Sequence, residues 1–329
     1  MRRHRSDTVV PLSSLTRRAA VAVAAIGAAL ALTAGTLAAQ GGAEGVFLLL
    51  PVGARAVGMG EAVVAEQGGS DALWWNPAAL AGAEKHEIAI HHSETVVGQG
   101  NALAAVLPFT HVGTFGISLN VLDLGRQSAT DEQGQIQGVI SPTDFEYGLS
   151  YSAAPIPMLA LGATIKHVEA RINCSGLCTN LPAGGSSANG ADVGAQLRPT
   201  GSPLTIGLAA RNLGVGRGDV RPTRLDAGAD YRVPLPPQYA DLVDIHAAAG
   251  VVTTAQFDSA TARVGTDIAL EQRLHVRAGY IHDPVNGSGG AVGVGLSSGK
   301  LVFDLARTFG GLSANGDKPP TYFSLRYLW

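Results

Sequence analysis

Residues 224–233 read RLDAGADYRV. Leu225, Ala227, Ala229, Tyr231 and Val233 fall on odd positions, and Arg224, Asp226, Gly228, Asp230 and Arg232 on even ones. Successive side chains of a strand point to opposite faces, so one face of this segment is apolar throughout and the other is largely charged. A strand of this kind separates an apolar medium from an aqueous one. It belongs to the wall of an antiparallel sheet, and the rest of the chain shows what that wall encloses.

The same split recurs on both sides of it. Ala262, Val264, Ile268 and Leu270 oppose Arg263, Gly265, Asp267 and Glu271, while Leu274, Val276, Ala278 and Tyr280 oppose Arg273, His275, Arg277 and Gly279. Upstream, Phe115, Ile117, Leu119 and Val121 alternate with Thr114, Gly116, Ser118 and Asn120. Fourteen such segments fill residues 86–329, among them 144–154 and 158–171. Most run well beyond the ~5–6 residues usual in soluble strands and match the ~9–11 needed to cross a bilayer at a tilt. The connections alternate in length. Residues 125–143, 172–187, 213–221 and 310–320 read as long loops, and 110–112, 155–157, 199–202, 271 and 298 as short turns, the parity of an outer-membrane barrel. Residues 234–240, PLPPQYA, fall on the short side, and their prolines point to a stiff, extended excursion.

At the C-terminus Phe323, Leu325, Tyr327 and Trp329 take alternate positions. Such a strand offers lipid an apolar face with aromatics suited to the interface. It resembles the signal that the outer-membrane assembly machinery reads. A soluble sandwich or propeller also alternates, but strand length and loop parity argue against it. Aromatics, at 5% of the chain, are few for two complete interfacial girdles. The 43 glycines, about 13% against ~7% in ordinary proteins, are spread through the strands, as expected of a wall with small inward residues.

Ahead of the strands lies PVGARAVGMGEAVVAEQGGSDALWWNPAAL, residues 51–80. Small residues permit close backbone packing, and Gly68-Gly69 and Asn76-Pro77 supply turns on either side of Trp74-Trp75. The stretch reads as a plug that needs a container. Gly53, Ala54, Arg55, Gly58, Met59, Gly60, Trp75, Asn76, Pro77 and Ala78 carry a resemblance to the N-terminal signature of the PorV/PorQ family, relatives of FadL-like outer-membrane barrels. The Trp74-Trp75 pair is a small departure from that signature. The resemblance implies a fourteen-stranded barrel with an N-terminal hatch in its lumen. It also implies a role in type IX secretion or surface attachment, with secreted cargo proteins and secretion components as partners and the long loops as contact surface. Its rival is a FadL-like channel taking up hydrophobic small molecules.

Five arginines precede an apolar run at 19–37 and small residues at 38–39, the pattern of a cleaved export signal. A membrane anchor is the alternative, since the run approaches the ~20 residues of a spanning helix. The expected division is therefore a signal peptide at 1–39, a hatch at 40–85 and a barrel at 86–329, placed in the outer membrane of a diderm bacterium and surrounded by its lipid. Removing residues 1–39 takes five Arg and one Asp from the 23 basic and 26 acidic residues, leaving a net charge of −7. That balance excludes nucleic acid as a natural partner.

Cys174 and Cys178 in NCSGLC read as a disulfide of an exported chain, with Gly176 permitting the tight turn. The inward charges Asp226, Asp230, Arg232, Arg263, Asp267 and Arg277 line the lumen, either as a selectivity lining or as pairs that neutralise one another across strands. Arg55 and Glu61 are candidates for tethering the hatch to the wall, against solvation in a wet lumen. His91 and His92 point to opposite faces and cannot share a metal ion. Arg217-Gly218-Asp219 is explained as a turn. No GxxxxGK[ST], HExxH or GxSxG string occurs, so neither enzymatic activity nor a cofactor or metal is expected.

Overall fold

The computed structural model describes residues 46–130, 133–176, 185–215, 222–257, 259–285, 287–311 and 319–329. The leader, residues 40–45, Cys178 and the 217–219 turn lie outside them. In chain order the strands are β1 (Glu87–Glu94), β2 (Gln99–Phe109), β3 (Gly113–Asp123), β4 (Gln127–Thr130), β5 (Ile136–Ile156), β6 (Leu159–Gly176), β7 (Ser186–Leu197) and β8 (Leu204–Leu213). They continue as β9 (Arg224–Arg232), β10 (Val243–Thr254), β11 (Ala260–Leu270), β12 (Leu274–His282), β13 (Gly289–Ser298), β14 (Leu301–Gly310) and β15 (Thr321–Leu328). Helices α1 (Ala54–Gly58) and α2 (Ala72–Trp75) precede the strands, and α3 (Pro237–Ala240) joins β9 to β10.

Each strand pairs antiparallel with its chain neighbour, and two long-range pairings close the ring. β1 meets β15 (Glu87↔Leu328 to Glu94↔Thr321), and β3 passes β4 to meet β5 (Thr114↔Ser152 to Asp123↔Thr143). Fourteen strands thus form a closed barrel without an exposed edge along the wall. β4 is a fifteenth, four-residue strand paired only with the far end of β5.

The faces are inside out relative to a soluble protein. Ile88, Ile117, Leu149, Leu208, Val264 and Leu296 are each about half exposed on the outer surface, while Glu146, Lys166, Asp192, Asp230, Arg277 and Asp304 are buried. In the opening stretch Asp226 and Asp230 are buried and Tyr231 is exposed, so its two faces are those of the wall. An apolar band of this extent is stable only against hydrocarbon. The few aromatics are concentrated rather than spread. Tyr327, Trp329, His86, Phe109, Phe115 and Tyr151 form a chain of ring contacts, 5.1–6.0 Å between centroids, across β15 to β5 at the short-turn end.

Three expectations are corrected. Of residues 125–143, expected to be a long loop, 127–130 and 136–143 are strand: β4 pairs with β5 (Gln127↔Ile140, Ser128↔Val139) and the sheet continues outward. Residues 172–176, expected to be loop, belong to β6, with Cys174 opposite Ile140. Ile136, Val139, Ile140 and Ile172 favour extended backbone once a neighbouring strand offers a ladder. β5 and β6, with 21 and 18 residues, exceed what a bilayer requires by roughly 7–10 residues and project beyond it. Finally, 234–240 is extended only in its first part, where Pro236 has φ −55° and ψ 145°. Pro237 opens α3, where its fixed φ suits the first helical turn and its missing N–H is no loss.

Candidate functional site: a lumen filled by residues 46–85

Inside the barrel the chain runs from a 3-10 turn at Val46–Leu49 through α1 and α2 to a second 3-10 turn at Pro77–Gly82. Asn76 caps that last turn. Its Oδ1 accepts from Ala78 N at 3.0 Å and its Nδ2 donates to Val64 O at 2.6 Å, tying two limbs of the segment together. Trp75 Nε1 donates to Val52 O at 2.9 Å. The motif residues therefore hold the segment's own shape, an arrangement that a rigid insert needs before it can meet a wall.

Contact with the wall is made by backbone against backbone. A Cβ on Gly279 would fall 2.0 Å from Gly60 N, one on Gly265 2.1 Å from Met59 O, and one on Gly293 3.1 Å from Gly58 Cα. Across the lumen, a Cβ on Gly162 would lie 2.3 Å from Pro77 C and one on Gly207 2.2 Å from Val64 O. Inward glycines on β6, β8, β11, β12 and β13 thus form the seat of residues 58–78, and much of the chain's glycine excess has this use. Wall side chains add hydrogen bonds: Ser324 Oγ accepts from Ala54 N at 2.9 Å, Gln196 Nε2 donates to Glu66 O at 2.8 Å, and Arg211 Nη1 donates to Trp74 O at 3.1 Å.

Of the two candidate tethers, Glu61 reaches the wall and Arg55 does not. Glu61 pairs with Arg263 at 2.7 Å, whereas Arg55 pairs with Glu66 of its own segment. Arg211 and Arg263 also flank the Trp75 ring, 5.1 and 5.6 Å from its centroid. Glu61→Gln is expected to loosen the segment by about 1–2 kcal/mol, since Arg263 keeps only the more distant Asp226. Faster amide exchange at residues 59–64, with barrel strands unaltered, is the readout. Unaltered exchange there would show that the pair contributes nothing.

The inward charges pair among themselves. Asp226 takes two bonds from Arg211, both 2.9 Å, and Asp267 binds Arg277 at 2.9 Å and His275 at 3.1 Å. Asp230 binds His246 at 3.0 Å. Arg232 pairs with Asp244 at 2.8 Å and is largely exposed at the short-turn mouth. Sequence reasoning missed Glu146, Lys166, Asp304 and Arg326, all buried. Lys166 sits between Glu146 at 3.0 Å and Asp192 at 2.8 Å, and Asp304 joins Arg277 at 2.7 Å to Arg326 at 2.8 Å. Their signal was available, because Asp304 stands between Phe303 and Leu305, and Arg326 between Leu325 and Tyr327, on the inward parity. Cys174 is disulfide-bonded. His91 faces inward, hydrogen-bonded to Ser324 Oγ at 2.8 Å, and His92 is bonded to Asn101 at 2.9 Å.

The segment divides the lumen. At the short-turn end lies a polar cavity of ≈ 510 Å³ lined by Arg55, Gln67, Arg198, Asp230, His246 and His275. On the loop side, among the described residues, lie voids of ≈ 40 and ≈ 20 Å³. There Phe47 and Leu48 pack with Leu122, Val168, Ala188 and Val215, an apolar cluster separate from the larger one that Met59, Leu73, Trp74 and Trp75 form with Ala89, Ala104 and Val106.

No protein-family model and no curated protein matches the sequence. Solved structures match its shape. The Pseudomonas putida toluene transporter TodX superposes with a TM-score of 0.55 at 14% identity, over 83% of this chain and 95% of that one. The monoaromatic hydrocarbon channel CymD gives 0.56 at 13% identity, over 85% and 98%. A Pseudomonas aeruginosa FadL homologue gives 0.52 at 14% identity, over the same shares. The fold is that of the FadL-like barrels. At such identities the likeness extends to the fold alone.

Proposed function

We propose that the protein is an outer-membrane channel for hydrophobic small molecules, with residues 46–85 as a hatch that shifts to let them pass. The apolar cluster around Phe47 and Leu48 carries this reading, because once the hatch shifts its facing side chains would give a greasy solute a dry contact at the loop end of the lumen. The exposed apolar belt supports the membrane setting. TodX and CymD, described as a toluene transporter and a monoaromatic hydrocarbon channel, support the solute class by analogy of fold. The charged lining does not oppose it, since the charges named above neutralise one another. Residues 58–78 touch the backbone of β6 and β8 on one side and of β11, β12 and β13 on the other, so passage requires the hatch to move.

Toluene or a labelled fatty acid, titrated into the full-length protein in proteoliposomes, is expected to quench the fluorescence of Trp74 and Trp75 saturably. Leu48→Asp should weaken binding roughly tenfold or more, because an unpaired carboxylate replaces apolar contact. Absence of saturable binding, with secreted proteins sharing a C-terminal domain co-purifying instead, would favour the secretion role implied by the PorV/PorQ resemblance. That second reading has the resemblance over residues 52–81 behind it.

A further inference from the structure

Asp71 precedes α2, yet its side chain does not cap the helix. The residue is 7% exposed, and its Oδ1 has no hydrogen-bond partner. His91 Nδ1 lies 3.9 Å from that oxygen, beyond bonding reach. A Cβ on Gly53 would fall 2.0 Å from the same atom. The carboxyl is thus wedged between the chain at Gly53 and the wall at His91. Beside it runs a chain of bonds: Ala54 N to Ser324 Oγ at 2.9 Å, Ser324 Oγ with His91 Nδ1 at 2.8 Å, and His91 Nε2 with Ser70 Oγ at 3.3 Å. Both limbs of the segment, 53–54 and 70–71, meet β1 and β15 at this one point.

Charged groups face Asp71 from every side. Arg55 of α1 is engaged by Glu66, and Arg326 of β15 by Asp304 of β14 at 2.8 Å. Glu87 of β1 accepts from Ser70 N at 3.0 Å, and His91 stands beside it. Both arginines are held by other carboxylates, so the ionised form of Asp71 would be buried with an oxygen unbonded, an expensive state. We propose that Asp71 is a proton-operated latch, locking residues 53–71 against β1 and β15 when neutral and loosening them when ionised.

Burial pushes the carboxyl up to about 7, against the pull of Arg326 and Arg55, with Asp304 and Glu87 adding to the rise. Exposed by movement of the segment, it returns towards its ordinary 3.8. The seated form therefore holds an extra proton between those values. Its advantage is complete below about pH 4, declines as pH rises through about 7, and is gone above.

The latch rests on the reading of residues 46–85 as a movable hatch, but not on the solute. Hydrogen exchange of the full-length protein in proteoliposomes, corrected for intrinsic rates, tests it between pH 4.5 and 8. Protection of peptides covering 53–75 should fall roughly tenfold or more as pH rises, while β11–β13 hold theirs. Asp71→Asn should keep the protection high at both pH values, and His91→Gln should retain the response. A wild-type protein without the response, or an Asp71→Asn protein with all of it, overturns the latch. Should Asp71→Asn fail to assemble, His91→Gln decides alone, since a response lost with His91 assigns it elsewhere. A protein that shows the response yet binds no hydrophobic solute loses the channel reading and keeps the latch.

Discussion

Gly279→Val opens the barrel. The new Cβ would sit 2.0 Å from Gly60 N and 2.4 Å from Met59 C, and backbone cannot step aside as a flexible side chain can. Overpacking costs typically ~1–3 kcal/mol where neighbours can adjust, and more where they cannot. The wall is the stiffer partner. Gly279 lies between Gly265 of β11 and Ala291 of β13 in unbroken ladders, and valine suits a strand. The segment yields instead. Conductance in planar bilayers is expected to rise from near zero to a steady open level, at least tenfold above the wild type. The unboiled protein should still run as a compact barrel on gels. An intact barrel with wild-type conductance would contradict the seating of Met59 and Gly60 against β12.

Asp304→Ala strikes the wall itself. Asp304 is fully buried and joins Arg277 at 2.7 Å to Arg326 at 2.8 Å. Its removal leaves two guanidinium groups facing each other, with only Asp267 still bound to Arg277. Breaking a buried ionic network from one side costs about 3–5 kcal/mol. The temperature at which the compact gel band converts to the unfolded one should drop markedly, and a second change, Arg326→Met, should recover part of the loss by removing an unpaired cation. A conversion temperature equal to the wild type would mean that water in the lumen screens these charges.

The two variants bear on different levels of the molecule. One dislodges an insert held by glycine contacts. The other weakens strands that stay closed whatever the insert does. A channel of the kind proposed requires that separation, since a hatch can move only if the wall does not depend on it. The latch at Asp71 is placed accordingly: it acts on contacts between the segment and β1 and β15, not on the ladder between those strands.

What the chain determined by itself was local and periodic. The alternation in 224–233 and 273–282 already assigned each side chain to a face, because the pleat permits two directions and no others. Asp226, Asp230 and Arg277 are buried, and Tyr231, Val276 and Tyr280 are exposed, as that period requires. Turn parity supplied the barrel, and the clustering of small residues before the first strand marked the segment that fills it. Tertiary structure decided everything that depended on register between distant positions. No spacing announces that Asp304 will serve both Arg277 and Arg326, that Gly279 will lie under Gly60, or that Arg55 will turn to Glu66 while Glu61 crosses to Arg263. Residues 125–143 show the same limit from the other side. Residues 127–130 and 136–143 became sheet because β4, β5 and β6 offered one another ladders, and a ladder is a property of two strands that neither contains alone.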